Sequence, residues 1–524
     1  MKNDSSENSK QKKRRFRILF AVGLILLILP IVSVLVDPQF HIMIYMTRVA
    51  KGSKIYNILA RENPGTLVRV YVFNITNSEA FMSGEDQKLR VEEVGPFTYQ
   101  EYRRSGDFQV DEEAGVMRYK PLIRTKFLRE QSIGDPAKIN VTVSNAAMLT
   151  MASLLKPYSF LIKVAFNALV NRLQSKSIVE TSVYQYLWGF EEPLLSLSNT
   201  LMPGWITFTK MGILDRLYDQ TNTPLLEVSV GTADKFQVKK IDGCPGLQMR
   251  GYQNPSNRTH CNTLVDTYEG FGYPPGLTPD RPLRLYRSTF CRLLDLDYVG
   301  RKKTEISPEA FVYEISNKSY SIGPSNKCLC EQEDECIDGV TDLSPCLLGF
   351  TIALSNGHFL YADPKVYERV EGIRPNKEKH GSEFIVDPRT GVALSGRFTV
   401  QANVIVKDAE HYNKVKPFAD MVVPLVYFEI VQPPLPEDSV ISIELANKVF
   451  PYVFRGLEIT MFIIGMLILL FALYKTFPRT LNICLHKKND DDVSVVQVET
   501  KFVMEKVKDT ENKKNHLDIK SPDS

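Results

Sequence analysis

The chain has 524 residues, 44% hydrophobic and 24% charged, and its 64 basic and 61 acidic side chains leave a net charge of +3. That length is ample for a core and exceeds the usual single domain, although one large β-rich unit is compatible with it. The near-balance of charge gives no overall field for nucleic acid or another polyanion, and the basic clusters that exist are local.

Residues 1–17 end in Lys12, Lys13, Arg14, Arg15 and Arg17, and Ile18–Val36 then runs without a charge. That run is about long enough to cross a bilayer core as a helix. A cleaved secretory signal is the competing reading, but the apolar stretch exceeds a signal core and Val34-Leu35-Val36-Asp37-Pro38 offers no small-residue cleavage site. Gly23 and Pro30 are tolerable inside such a span where packing re-satisfies the backbone. A second apolar run, Leu457–Tyr474, precedes Lys475, Arg479, Lys487 and Lys488. Basic flanks favour the cytosolic side, so the predicted topology is a hairpin. It has a cytosolic tail (1–17), a transmembrane helix (18–36), an ectodomain (37–456), a second transmembrane helix (457–474) and a cytosolic tail (475–524). This topology removes cytosolic enzymes and nucleic-acid binders from consideration.

Within the ectodomain, Thr66–Ile75 is rich in β-branched and aromatic residues, as a mostly buried strand would be. Arg397–Val406 alternates, with Phe398, Val400, Ala402, Val404 and Val406 on one face, and predicts a half-buried antiparallel strand. Phe311–Ile315 and Pro424–Val431 are further strand-like runs. Asn63-Pro64-Gly65, Asp387–Gly391 and Pro433-Pro434 are predicted turns. Between 145 and 190 the character changes to helix. Ala147, Leu149, Met151, Leu154 and Leu155 precede Pro157, and Leu161, Val164, Ala165, Phe166, Leu169, Val170 and Leu173 recur near helical spacing. Lys156, Pro157 and Lys163 speak against a third span. Two readings stay open for this segment: a helical subdomain packed on a β core, or a helical cap whose exposed apolar face and cations Lys163, Arg172 and Lys176 dock lipid or a lipid particle.

Cys244, Cys261, Cys291, Cys328, Cys330, Cys336 and Cys346 all fall in the predicted ectodomain, where clustered cysteines read as disulfides. The odd number leaves one thiol over. Zinc is the alternative, but Cys328-Leu-Cys330 is too tight for a paired knuckle and histidine is scarce nearby, so no metal is expected. Glycan acceptors Asn74-Ile-Thr, Asn140-Val-Thr, Asn257-Arg-Thr and Asn317-Lys-Ser lie between the spans, whereas Asn3-Asp-Ser is expected to be cytosolic and unmodified. Cys484, just past the second span, sits where palmitoylation is plausible, and a plain reduced cysteine is equally compatible. The charged tail beyond it lacks sustained apolar periodicity and is predicted to be disordered.

The sequence carries no Gly-x-Ser-x-Gly elbow, His-Glu-x-x-His helix, phosphate loop or dinucleotide fingerprint. Asp295 and Asp297 are expected to cap or solvate a loop, and His358 and His380 to be hydrogen-bonded structural residues. No catalytic residue and no cofactor is therefore assigned, and a membrane-tethered hydrolase is set aside.

Several stretches together resemble the class B scavenger receptor family, the group of platelet glycoprotein IV (the fatty-acid translocase) that includes insect members. They are Val94-Gly-Pro-Phe-Thr-Tyr99, the cysteine block from Cys328 to Asp342-Leu-Ser-Pro-Cys346, and His358-Phe-Leu-Tyr-Ala-Asp-Pro364. Gly372-Ile-Arg-Pro-Asn376, His380, Asp387-Pro-Arg-Thr-Gly391 and Leu187-Trp-Gly-Phe190 extend the match across nearly the whole ectodomain. The resemblance implies the pairs Cys261–Cys328, Cys291–Cys346 and Cys330–Cys336, with Cys244 as the free thiol. It implies an α+β fold, a large antiparallel β-barrel-like ectodomain with an apical helical bundle, anchored by two transmembrane helices. It also implies an apolar tunnel that carries lipid to the bilayer. Exposing each methylene of a lipid to water costs about 0.8 kcal/mol, which such a conduit avoids.

The function this implies is a cell-surface receptor at the plasma membrane, both termini cytosolic. Its partners would be the membrane and lipids: fatty acids, sterol esters, carotenoids or lipoprotein particles. A homo-oligomer is possible, and nucleic acid is not a partner. Two other uses stay open: a sensory co-receptor for apolar semiochemicals, and a trafficking receptor of the lysosomal or endosomal membrane. The tail ends His516-Leu-Asp-Ile-Lys-Ser-Pro-Asp-Ser524 without an acidic dileucine signal, which favours the surface.

Overall fold

The computed structural model describes residues 2–201, 208–330 and 336–476. Cys484 and the predicted tail beyond 476 lie outside the described residues. The chain divides into two compact units, residues 40–449 and a unit containing the two terminal helices.

In the 40–449 unit, 15 strands among the described residues form one sheet. Its path begins Thr267–Tyr268, Leu283–Arg287, Arg292–Lys302, Ala310–Ile315, Glu383–Val386, Ala393–Val406 and Met421–Val431. It continues Asn63–Ile75, Leu89–Asp111, Val116–Phe127, Leu226–Ser229 and Val238–Ile241. Neighbours on the path pair antiparallel, apart from the first two. An isolated bridge from Tyr268 to Gln237 brings the two ends of the path together, so the sheet is a nearly closed barrel.

The central strands are buried on both faces, as their sequences require. Val68, Val70, Val72, Val426, Phe428 and Ile430 pack into an inner core with Leu285, Phe398 and Val400. The alternate residues Phe73, Ile75, Val423, Leu425 and Tyr427 pack into an outer core with the helices. The predicted strand at Thr66 begins earlier, at Asn63, so Asn63-Pro64-Gly65 is not a turn. Asn63 and Pro64 pair with Arg103 and Tyr102 across a register shift, and proline is accommodated where the ladder is irregular. A second shift lies between Val70 and Val72, opposite Gly95. A Cβ on Gly95 would sit 2.7 Å from the Val70 carbonyl oxygen, so only glycine lets these strands approach there.

The Ala393–Val406 strand departs from the half-buried expectation. Its polar face is buried too: Thr399, Gln401 and Asn403 are fully inaccessible. The burial is tolerated because that face is hydrogen-bonded throughout. Gln401 Nε2 donates to Asn403 Oδ1 at 2.7 Å, Asn403 Nδ2 donates to Ser355 Oγ at 3.0 Å, and Gln401 Oε1 accepts from the His358 backbone N–H at 2.7 Å. Asp295 and Asp297 also differ from expectation, lying within the Arg292–Lys302 strand rather than in a loop. Asp295 pairs with Arg284 Nε at 3.0 Å.

The 145–190 segment is helical only in part. Helices occupy Ala146–Leu154, Phe160–Arg172 and Val183–Trp188, but Ile178–Ser182 is a strand paired with Asn140–Ser144. The β-branched Ile178, Val179 and Thr181 suit that pairing. Met148, Leu149, Phe166 and Val170 bury against Val404, Val406, Met421 and Val423, the outer core of the sheet.

In the other unit, helices Lys2–Val36 and Phe450–Thr476 contain the two predicted spans. The first helix begins at Lys2, so residues expected as a separate tail continue it. The two helices meet at glycines: a Cβ on Gly465 would lie 3.0 Å from the Gly23 carbonyl oxygen, and one on Gly23 would lie 2.7 Å from Leu469 Cγ. Small residues allow such close backbone approach between spans. Ser33 Oγ donates to Glu458 Oε1 at 2.7 Å, giving that carboxylate a partner on the facing helix.

Candidate functional site

A cavity of about 660 Å³ lies against the strand faces that build the inner core. Leu285, Phe384, Phe398 and Ile430 line one side, and Pro121, Leu122 and Ile123 another. Further apolar lining comes from Ile58 and Leu59 and from Pro433, Pro434, Leu435 and Pro436. These last two segments are tied where Lys54 Nζ donates to the Asp438 carbonyl at 3.5 Å. They are the stretches through which the chain leaves the first terminal helix and approaches the second. The volume falls in the range of small-ligand sites, roughly 300–1,000 Å³.

One wall of this apolar chamber carries charge. Phe97, Tyr99, Glu101 and Arg103 share a face of the Leu89–Asp111 strand, so the pattern turns from aromatic to ionic along it. Glu101 is 1% exposed. It accepts from Tyr218 Oη at 2.9 Å and from Thr66 Oγ1 at 2.5 Å, with Arg103 Nε at 3.3 Å and Arg287 Nη1 at 3.6 Å. Burial pushes its pKa up, but the two guanidiniums and the two hydroxyl donors outweigh that and hold it at about 2. Glu269 is treated differently. Its partner is the Tyr119 hydroxyl, it has no ion pair among the described residues, and burial raises its pKa. Burial, and then the charge of Arg103, lower that of Arg287.

Arg103, Glu269 and Arg287 also border a second, smaller pocket of about 30 Å³, together with Leu217, Tyr218, Ser288, Thr289 and Phe290. The charged cluster is therefore a neck between two spaces. The sequence reading missed it. Its one sequence signal is a pair of charges, Glu101 and Arg103, at positions whose alternation points to the core.

His358 and His380 stand in the buried polar layer beside the Ala393–Val406 strand. Their rings stack at 4.1 Å, 5° from parallel. His358 Nε2 lies 2.9 Å from Glu93 Oε2, and Glu93 Oε1 also accepts from Lys379 Nζ and Tyr427 Oη, each at 3.2 Å. Glu93, His358 and His380 are close enough to share a cation. Their hydrogen bonds argue otherwise. His358 Nδ1 accepts the Arg374 N–H and His380 Nδ1 accepts the Asn376 N–H, both at 3.1 Å, so each neutral ring carries its proton on Nε2, the atom a metal would need. The pair holds the 372–376 loop, a structural role. Burial, then His358 and Lys379, lower the His380 pKa to about 4. Glu93 is held at about 2, because His358 and Lys379 outweigh the upward effect of burial.

The predicted docking cations separate. Arg172 and Lys176 are exposed, but Lys163 is turned inward, 8% exposed, with Nζ 2.5 Å from Asp408 Oδ2. That corrects its expected place on a solvated face: the helix directs position 163 at the 407–412 loop. The approach to that helix and its first turn expose apolar side chains, Tyr158 before it and Phe160, Leu161, Ile162 and Val164 within it, of which Leu161 is 77% exposed.

The structure joins Cys261 to Cys328, Cys291 to Cys346 and Cys330 to Cys336, with Cα separations of 6.1, 6.4 and 6.0 Å, and leaves Cys244 free. Of the sequon asparagines, Asn140, Asn257 and Asn317 are exposed. Asn74 is half-buried and engaged at both ends of its amide: Nδ2 donates to Glu92 Oε1 and Oδ1 accepts the Thr142 N–H, each at 2.8 Å.

A sequence model of the CD36 family matches residues 19–476. Lysosome membrane protein 2 of Mus musculus is 28% identical over 412 residues, which cover 78% of this chain and 82% of that protein. Scavenger receptor class B member 1 of Bos taurus is 23% identical over 513 residues, 95% of this chain and 97% of that one. Two terminal membrane-spanning helices, a nearly closed barrel and this end-to-end match agree: the chain belongs to the CD36 family, as a two-span class B scavenger receptor.

Proposed function

We propose that this receptor works at the plasma membrane, capturing lipid or lipid-carrying particles and passing single apolar molecules through its ectodomain to the bilayer. The observation that carries this reading is the mainly apolar cavity of about 660 Å³, bordered by the segments that connect the barrel to the terminal helices. Each buried methylene stabilises a bound chain by about 0.8 kcal/mol, so a cavity of this lining retains hydrocarbon against water. The exposed apolar side chains Tyr158, Phe160, Leu161, Ile162 and Val164, on a segment whose far end carries the exposed cations Arg172 and Lys176, support a capture surface: apolar side chains to insert and cations to meet acidic headgroups.

The test separates capture from transfer. Leu122→Trp and Ala393→Trp each place a large ring in the cavity. At matched surface amount, cells expressing either variant should bind labelled lipoprotein like wild type while transfer of its lipid to the membrane falls several-fold. Transfer equal to wild type in both variants rejects the route.

A further inference from the structure

The imidazole of His260 lies alongside the Cys261–Cys328 bond, with Nε2 3.7 Å from Cys261 Sγ and Nδ1 3.7 Å from Cys328 Sγ. Its tautomer follows from Asn326. That buried amide commits Nδ2 to the carbonyls of Lys318 and Ser321, so its Oδ1, 3.3 Å from His260 Nε2, is the acceptor. The neutral ring therefore carries its proton on Nε2, beside Cys261, and its lone pair on Nδ1, beside Cys328. Arg284 Nη2 fixes the residue from behind by donating to the His260 carbonyl at 2.7 Å. Access to the two sulfurs is unequal. Cys328 and His260 are exposed and Cys261 is buried, whereas the other four half-cystines are half-buried. A disulfide opens when a thiolate attacks one of its sulfurs, and the rate depends on access, on ionisation of the attacker and on how readily the other sulfur leaves. This site answers all three: an exposed sulfur, a base beside it and a proton beside the leaving group.

We propose that Cys261–Cys328 is a thiol-exchange site of the ectodomain, in which an external small-molecule thiol attacks Cys328, Cys261 leaves, and His260 serves both sulfurs. Nδ1 takes the proton of the arriving thiol through one water. The thiolate sulfur bonds to Cys328 Sγ, the Cys261–Cys328 bond breaks, and its electron pair goes to Cys261 Sγ. The imidazolium then gives the Nε2 proton to that thiolate. The external sulfur is oxidised to the disulfide level and Cys261 is reduced, so no further oxidant or reductant enters. The product is a mixed disulfide on Cys328 and a free thiol at Cys261.

Full-length protein in nanodiscs is treated with 2-mercaptoethanol, quenched with acid at intervals, denatured, alkylated with iodoacetamide and mapped by peptide mass spectrometry. In wild type the mercaptoethanol adduct should appear on Cys328 with alkylated Cys261, before Cys291–Cys346 or Cys330–Cys336 opens. His260→Gln should slow that adduct by at least about tenfold, the low end of assistance by a positioned acid–base group, while the melting temperature and the opening of the other two pairs stay unchanged. The defect should shrink with 4-nitrothiophenol, which arrives already ionised and has no proton to give. Another pair opening first in wild type, or an adduct on Cys261, overturns the site without any variant. Equal adduct rates in wild type and His260→Gln overturn the part given to the imidazole. A variant that melts lower and opens all three pairs faster shows His260 to be a structural residue, and overturns it as well.

Discussion

Replacing His380 by asparagine should make the receptor less sensitive to mild acid. The wild-type imidazole is 2% exposed and faces His358, Lys379, Arg397 and Glu93. Its pKa drops from 6.5 to about 4 on folding, so the unfolded chain binds the proton more readily. The sign follows: stability is full above pH 6.5, falls as pH drops towards 4, and is constant below. Linkage between those two values gives a loss of about 2 kcal/mol at pH 5 and about 3 kcal/mol once the interval is crossed. Glu93 does not confuse this window. Its pKa is depressed to about 2, so its contribution is present above about 4.5 and lost only below that. Asparagine at 380 keeps an oxygen where Nδ1 accepts the Asn376 N–H but cannot titrate. Denaturant unfolding of the full-length protein, followed by tryptophan fluorescence at pH 7.5 and 5.0, gives the comparison. Wild type should lose about 2 kcal/mol more than the variant between the two. Equal losses would refute the argument, and so would a wild-type protein indifferent to pH over this range.

Glycopeptide mapping should find Asn140, Asn257 and Asn317 occupied and Asn74 occupied less, because Asn74 is half-buried with its amide engaged by Glu92 and Thr142, whereas the other three are exposed; full occupancy at Asn74 would count against that reasoning. Cys291→Ser and Cys346→Ser should each hold the protein in the secretory pathway, as loss of a native link costs about 2–5 kcal/mol in small secreted domains, whereas Cys244→Ser should reach the surface. Surface biotinylation distinguishes these outcomes. Lys163→Glu should destabilise by about 3–5 kcal/mol through an uncompensated charge beside Asp408, read as a lowered melting temperature. Arg172→Glu with Lys176→Glu should leave melting unchanged but slow particle capture at low salt, and equal capture would show those cations to be merely solvated.

The strands at 66–75 and 397–406 are legible because β-branched and aromatic richness in the first and period-two alternation in the second are local properties. What covers their second face is not. Thr399, Gln401 and Asn403 read as solvent-facing until Ser355 and His358 are brought against them, and nothing in the spacing announces that pairing. Lys163 failed for the same reason, since its partner Asp408 is distant in the chain. Asn63-Pro64-Gly65 carries turn residues, yet the sheet absorbs them as an irregular strand start. The disulfide partners came from family resemblance, as spacing leaves many connectivities open. The charged neck was invisible because its groups come from separate strands and meet only when the barrel closes.

The barrel's strand order also has a consequence for synthesis. Asn63–Ile75 emerges early, yet one of its two neighbours is Met421–Val431, among the last strands made. At about 5–20 residues per second, the roughly 350 residues between them take about 20–70 s to translate. Throughout that interval Val68, Val70 and Val72 belong to a strand with one open edge, already tethered to the lumenal face of the membrane by the helix before it. Such an edge is a template for mispairing until its carboxyl-terminal partner arrives. A ribosome that stops short of Met421 releases a chain that cannot close its barrel at all.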